Sequence, residues 1–100
     1  MIKHIAMFKF GAFDSKEQKE EFFQRVINAF DKLEDKIPEI KALQIGFDLL
    51  QSDASFDFAV NVDVQSLDTL KTYANHPEHL KAVVILKEKI IERRVIDYEF

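Results

Sequence analysis

One hundred residues leave room for a single domain over residues 1–100 and none for a second with its own core. With 47% hydrophobic and 32% charged residues and only two Gly and two Pro, the chain reads as globular, and the lack of Cys excludes disulfides, thiolate nucleophiles and Cys-bound metals and makes the cytoplasm the expected location. A net charge of -4, with Arg93–Arg94 the nearest thing to a basic patch, argues against nucleic acid as a partner, and no apolar run approaches the roughly 20 residues that span a bilayer.

From Ile2 to Phe10, Ile2, His4, Ala6, Phe8 and Phe10 share one side of an extended chain, opposite Lys3, Ile5, Met7 and Lys9, which predicts the first strand. The period then lengthens. Phe22, Phe23, Val26, Ile27, Phe30, Leu33 and Ile37 recur at three- and four-residue steps, predicting one amphipathic helix over about 15–36, capped by Asp14 or Ser15 and stopped by Pro38. Alternation of Leu43, Ile45, Phe47 and Leu49 predicts a second strand, in which Gly46 marks a bulge or a close approach. After a polar turn over 51–55, Phe56, Phe58, Val60, Val62 and Val64 predict a third. Ser66 suits the cap of a short helix holding Leu67, Leu70, Tyr73 and Ala74, and Pro77 suits the first position of a further helix carrying Leu80, Val83, Val84, Ile90 and Ile91. The β-branched and aromatic run from Val95 to Phe100 predicts the last strand.

This order of strand, helix, strand, strand, helix pair and strand defines the α+β class: a ferredoxin-like split βαβ protomer whose four-stranded antiparallel sheet carries helices on one face. The other face is not wholly polar, because Ile5 and Met7 lie opposite Phe8 and the last strand is apolar at both parities. Leaving such a face wet exposes an apolar patch that soluble monomers rarely tolerate, so a two-fold homodimer with sheets face to face is expected.

Three histidines are few enough to weigh singly. His4 sits mid-strand on the side of Ala6 and Phe8 and so points between sheet and helices, as a core histidine or as a polar group of a pocket. In His76-Pro77-Glu78-His79, Pro77 places His79 in the first turn of a helix, where backbone N–H groups and the helix dipole favour a neutral imidazole that can act as a base near pH 7. Tyr73 lies six residues earlier, and a turn between the two helices can bring its hydroxyl toward that ring. The plainer alternative makes His76 a helix cap, Tyr73 a packing ring and His79 a partly exposed helix residue. A metal lacks a third ligand beside His76 and His79, and no glycine-rich phosphate loop or Gly-x-Ser-x-Gly is present. Phe22, Phe23, Phe8, Phe58 and Tyr73 around an incompletely filled interlayer space would form a small-molecule pocket.

The opening Ile2-Lys3-His4-Ile5-Ala6-Met7-Phe8-Lys9, the stretch Lys36-Ile37-Pro38-Glu39-Ile40-Lys41, the segment Tyr73-Ala74-Asn75-His76-Pro77-Glu78-His79-Leu80 and the closing Val95-Ile96-Asp97-Tyr98 together resemble the stress-responsive A/B barrel domain (Dabb) family. The resemblance implies a dimeric α+β barrel, and some relatives hold a magnesium ion on main-chain oxygens that would correspond to those of Glu34, Ile37 and Ile40 here; the side chains themselves call for no cofactor or metal. Most of that family has no assigned reaction; a plant polyketide cyclase within it closes a linear tetra-β-ketide acyl-CoA by aldol condensation with retention of the carboxylate. By resemblance, His79 stands at the catalytic base and Tyr73 at the hydroxyl that orients the substrate carbonyl, while His4, Phe22, Phe23 and Asp97 stand at ligand-binding positions. The expectation is a dimer that holds a small apolar carbonyl compound, with cyclase- or lyase-like chemistry at Tyr73 and His79; the alternative is a non-catalytic dimeric binding or stress-associated module. Leu80-Lys81-Ala82-Val83-Val84 departs from the small, Gly-containing run of the cyclase, so its substrate does not carry over.

Overall fold

The computed structural model describes all 100 residues. In chain order the elements are β1 (Ile2–Phe10), α1 (Lys16–Phe30), α2 (Leu33–Lys36), β2 (Ala42–Phe47), β3 (Phe58–Val64), α3 (Leu67–Asn75), α4 (Pro77–Lys87) and β4 (Ile90–Glu99). The strands form one antiparallel sheet in the order β2-β3-β1-β4, the ferredoxin-like arrangement expected from the order of periodicities. Both central strands show the two-residue pattern in their burial: Ile2, Ala6, Phe8 and Phe10 of β1 and Phe58, Val60, Val62 and Val64 of β3 turn toward the helices and are buried. They meet Phe22, Val26 and Phe30 of α1, Leu33, Ile37, Tyr73 of α3, and Ala82 and Leu86 of α4 in one core.

The local signals act as their chemistry requires. Ser15 Oγ accepts from the Gln18 amide at 3.1 Å and starts α1, and Ser66 Oγ accepts from the Thr69 amide at 3.2 Å and starts α3. Pro77 opens α4, and His76 Nδ1 accepts from the Glu78 amide at 3.1 Å, so His76 is the cap of that helix.

Four boundaries depart from the expectation. The helix expected over 15–36 is broken after Phe30, where Lys32 takes a left-handed conformation (φ 58°) before the single turn of α2. Phe30 before that break and Leu33 and Ile37 after it are all buried, so the apolar spacing continues through it and conceals it. The second strand stops at Phe47, leaving Leu49 93% exposed, and the third starts at Phe58. Gly46 pairs in regular register with Ala59, and a Cβ there would meet nothing within 4 Å, so it marks neither bulge nor close approach. Ile90 and Ile91 belong to β4 and not to the last helix, which ends at Lys87; the last strand is therefore ten residues long.

The bulge that does exist lies in the β1–β4 pairing, where Lys9 faces Glu92 but Phe10 faces Ile90. Gly11 closes the same corner: its amide donates to the Lys89 carbonyl at 2.8 Å, and a Cβ there would come within 3.3 Å of the Ile91 side chain.

Candidate functional site

Between sheet and helices lies a cavity of about 420 Å³, bounded by β1, β3, β4, α3 and α4 and by Phe30 of α1. Its walls are mostly apolar: Ala6, Phe8, Val60, Val83, Leu86 and Ile90 among others. Five polar or charged side chains face it: His4, Tyr73, His79, Lys87 and Arg93. The exposed lining residues Leu80, Lys87 and Arg93 place its opening along α4 and β4.

Tyr73 is the buried residue of α3, 2% exposed. Its ring lies 4.4 Å from that of His79 at a 45° tilt and 6.3 Å, edge on, from that of His4, so the three side chains converge on one wall. The hydroxyl finds no hydrogen-bond partner in the protein, and burial raises its pKa well above the ordinary phenol value, an effect that the Arg93 charge partly offsets. Tyr73 is thus a protonated donor at any physiological pH, with its donor unused.

His79 is fixed in a different way. Its Nδ1–H donates to the Ala74 carbonyl at 2.9 Å; since a carbonyl only accepts, the proton of the neutral ring sits on Nδ1 and Nε2 carries the free lone pair. Burial lowers its pKa, as the charges of His4, Arg93 and His76 also do to a smaller degree, while the Ala74 bond opposes them. The imidazole is therefore neutral near pH 7, as expected from the sequence, but desolvation is the first cause of that neutrality and not the position at the helix start.

His4 lies directly across from Asp97 in the β1–β4 register, and its Nδ1–H donates to the Asp97 carboxylate. The pair orients the His4 ring with Nε2 left free. Asp97 does not line the cavity and reaches it only through His4. Phe22 and Phe23 do not line it either. Phe22 packs edge on against Phe10 at 5.1 Å, and Phe23 stacks on Phe47 at 4.4 Å, both in the solid half of the core beneath α1. Helical spacing puts both phenylalanines on the inner side of α1 without telling which part of the interlayer each one fills.

Arg93 and Lys87 escape the sequence reading. Arg93 falls outside the last strand as expected from Val95 onward; once β4 runs from Ile90, alternation back from Asp97 through Val95 places Arg93 on the face of His4 and Phe8.

A ferredoxin-like α+β layer with a polar-tipped apolar cavity is the class that fold and site define. The chain belongs to the stress responsive A/B barrel domain family, whose model matches residues 2–100. It is 32% identical over 81 residues to olivetolic acid cyclase of Cannabis sativa, covering 79% of this chain and 76% of the cyclase. It is 29% identical to an uncharacterized protein of Streptomyces coelicolor over the full length of both. Among solved structures, a dimeric protein of unknown function and ferredoxin-like fold from Bacteroides fragilis superposes with a TM-score of 0.89 at 32% identity, covering 99% of this chain and 95% of the other.

Proposed function

We propose that the protein binds a small apolar carbonyl compound in the sheet–helix cavity and acts on it by acid–base chemistry at Tyr73 and His79. The observation that carries this reading is the pairing of complementary, unspent groups: a neutral imidazole whose Nε2 lone pair is free, its ring 4.4 Å from that of a phenol whose O–H has no partner, at the wall of an apolar cavity. In the reaction, His79 Nε2 takes a proton from a carbon flanked by two carbonyls, and the electron pair left behind delocalises onto oxygen as an enolate. The Tyr73 O–H donates a hydrogen bond to that oxygen, and burial makes the bond stronger than it would be in water. The enolate carbon then attacks a second carbonyl or takes a proton back from His79. Similarity to olivetolic acid cyclase supports the same reading.

Methyl 3-oxooctanoate serves as a probe for proton abstraction: deuterium uptake at its C2 in D2O, followed by rapid quench and proton NMR, should be faster with the protein than in buffer. His79→Ala should lower the protein-dependent rate by about 10²–10⁴-fold, the range for loss of a general base. The rate should also fall on the acid side with a midpoint below about 6.5, because the buried ring resists protonation. Exchange at the buffer rate, or a His79→Ala protein as fast as the parent, refutes the chemistry.

We also propose that a second copy covers the open sheet face. Ile5 lies across from Ile96 on that face, with Met7 and Tyr98 beside them, and Ile96 is 56% exposed in the single chain. The dimeric state of the Bacteroides fragilis relative supports this assembly.

A further inference from the structure

The cavity is chemically different at its two ends. Along α4, His79 stands in the first turn and Lys87 is the last residue, eight residues on and about 12 Å away at 1.5 Å per residue. Along β4, Asp97 holds His4, and Arg93 lies four residues back, about 13 Å away at 3.3 Å per residue. The imidazoles and the phenol thus stem from one end of the cavity wall and the two cations from the other, while the Arg93 charge still reaches Tyr73 and His79. The strand register places Arg93 across from Phe8, and its guanidinium lies over that ring, 5.9 Å from the centroid.

Neither cation at this end has an anionic partner. Of the three arginines, Arg25 and Arg94 are in ion pairs and Arg93 is not; Lys87 is unpaired too, as several surface lysines are. No Asp or Glu lines the cavity, although the chain has 18 acidic against 14 basic residues. The contrast with the neighbouring arginine is direct: Arg94, on the open face, is paired with Glu92 at 2.6 Å. A lysine in the last turn of a helix is accounted for by the helix dipole; an arginine beside a phenyl ring at the mouth of an apolar cavity, with no carboxylate partner, is not.

We propose that Arg93, assisted by Lys87, anchors a carboxylate on the ligand, so that the cavity takes an apolar carbonyl compound carrying a free acid at one end. The inference rests on the cavity reading above and adds the ligand's polarity to it: the guanidinium fork receives the carboxylate at the mouth, the chain lies along Phe8, Val60 and Leu86, and the carbonyl region meets Tyr73 and His79. Arg93 is then a specificity-determining residue. It binds and orients the substrate without exchanging protons with it.

Octanoate and 2-nonanone form a matched pair of probes, with the same seven-carbon chain on a carbonyl that bears either O⁻ or a methyl group. Calorimetric titration of the full protein should give at least tenfold tighter binding for octanoate. Arg93→Gln, at an exposed position, should cancel most of that preference while leaving 2-nonanone within about twofold of the parent, and Lys87→Gln should weaken octanoate to a smaller extent. Ala6→Leu, which narrows the cavity, should weaken both probes together. If both bind, Ala6→Leu weakens both, and the parent shows no preference or Arg93→Gln leaves the preference intact, the carboxylate anchor is overturned and the cavity reading survives. If neither probe binds, or binding ignores Ala6→Leu, the cavity reading and the anchor fall together.

Discussion

The two halves of the space between sheet and helices are built on the same strands and reach opposite results. Beneath α1, the rings of Phe10, Phe13, Phe22, Phe23, Phe47 and Phe58 interlock at centroid separations between 4.4 and 6.5 Å and leave a solid core. Beneath α3 and α4, the lining mixes the small Ala6, Val60, Ala74 and Val83 with Phe8, Tyr73 and Leu86, and a cavity remains. The difference lies in side-chain volume and not in topology. Where the sheet presents small residues the helices do not collapse to fill the gap, because α1 and its phenylalanines hold the layers apart, and Arg25 of α1 ties the end of α4 through a two-pronged contact with Glu88 at 2.9 and 2.6 Å.

That contrast can be broken or sharpened by substitution. The largest effect on stability is expected at Phe58, which touches Phe8, Phe10, Phe30 and Phe47 and is 2% exposed. Phe58→Ala should cost about 3–5 kcal/mol in urea unfolding; a loss below about 1 kcal/mol would mean that the aromatic half is not the rigid one. On the open face, Ile96→Asp should convert a dimer into monomers by light scattering, with the cavity side unaffected; a parent that scatters as a monomer removes the assembly proposal. In the cavity half, Ala6→Leu should cost about 1 kcal/mol or less, against the roughly 1–3 kcal/mol usual for an enlarged side chain in a filled core, because the added carbons enter empty space. A larger loss would show that the cavity closes in solution.

Smaller again is Tyr73→Phe. Removing a cavity-facing hydroxyl that has no protein partner should change stability by no more than about 1 kcal/mol, while deuterium uptake slows; a marked destabilisation would show that the hydroxyl is bonded in the folded protein. The smallest effect concerns pH. Since burial lowers the His79 pKa, the unfolded chain binds its proton more tightly than the folded one, so the neutral ring favours the fold above about 6.5 and that advantage is lost as pH falls through this value toward the folded pKa. His79→Ala should flatten the corresponding slope of stability against pH, and an unchanged slope would place His79 in water.

Much of this was legible in one dimension. The two-residue periods of β1 and β3 are strong because both strands are central and bury the apolar residues of one face, and the caps at Ser15, Ser66 and His76 depend only on residues two or three positions away. What was lost shares a cause. The break at Lys32 keeps the apolar phase on both sides, and the start of β4 is hidden because this edge strand lies mostly exposed and alternates only weakly.

Residue order by itself decides the succession of elements, the face of β1 that turns inward and the helical start that carries His79, since each depends on periodicity or on neighbours along the chain. Tertiary structure decides which inward residues meet at a void and which meet at a packed ring. That outcome depends on volumes contributed by strands and helices far apart in sequence, so it placed Arg93 at the cavity, took Phe22 and Phe23 away from it, and left the Tyr73 hydroxyl and the His79 lone pair unspent on rings 4.4 Å apart.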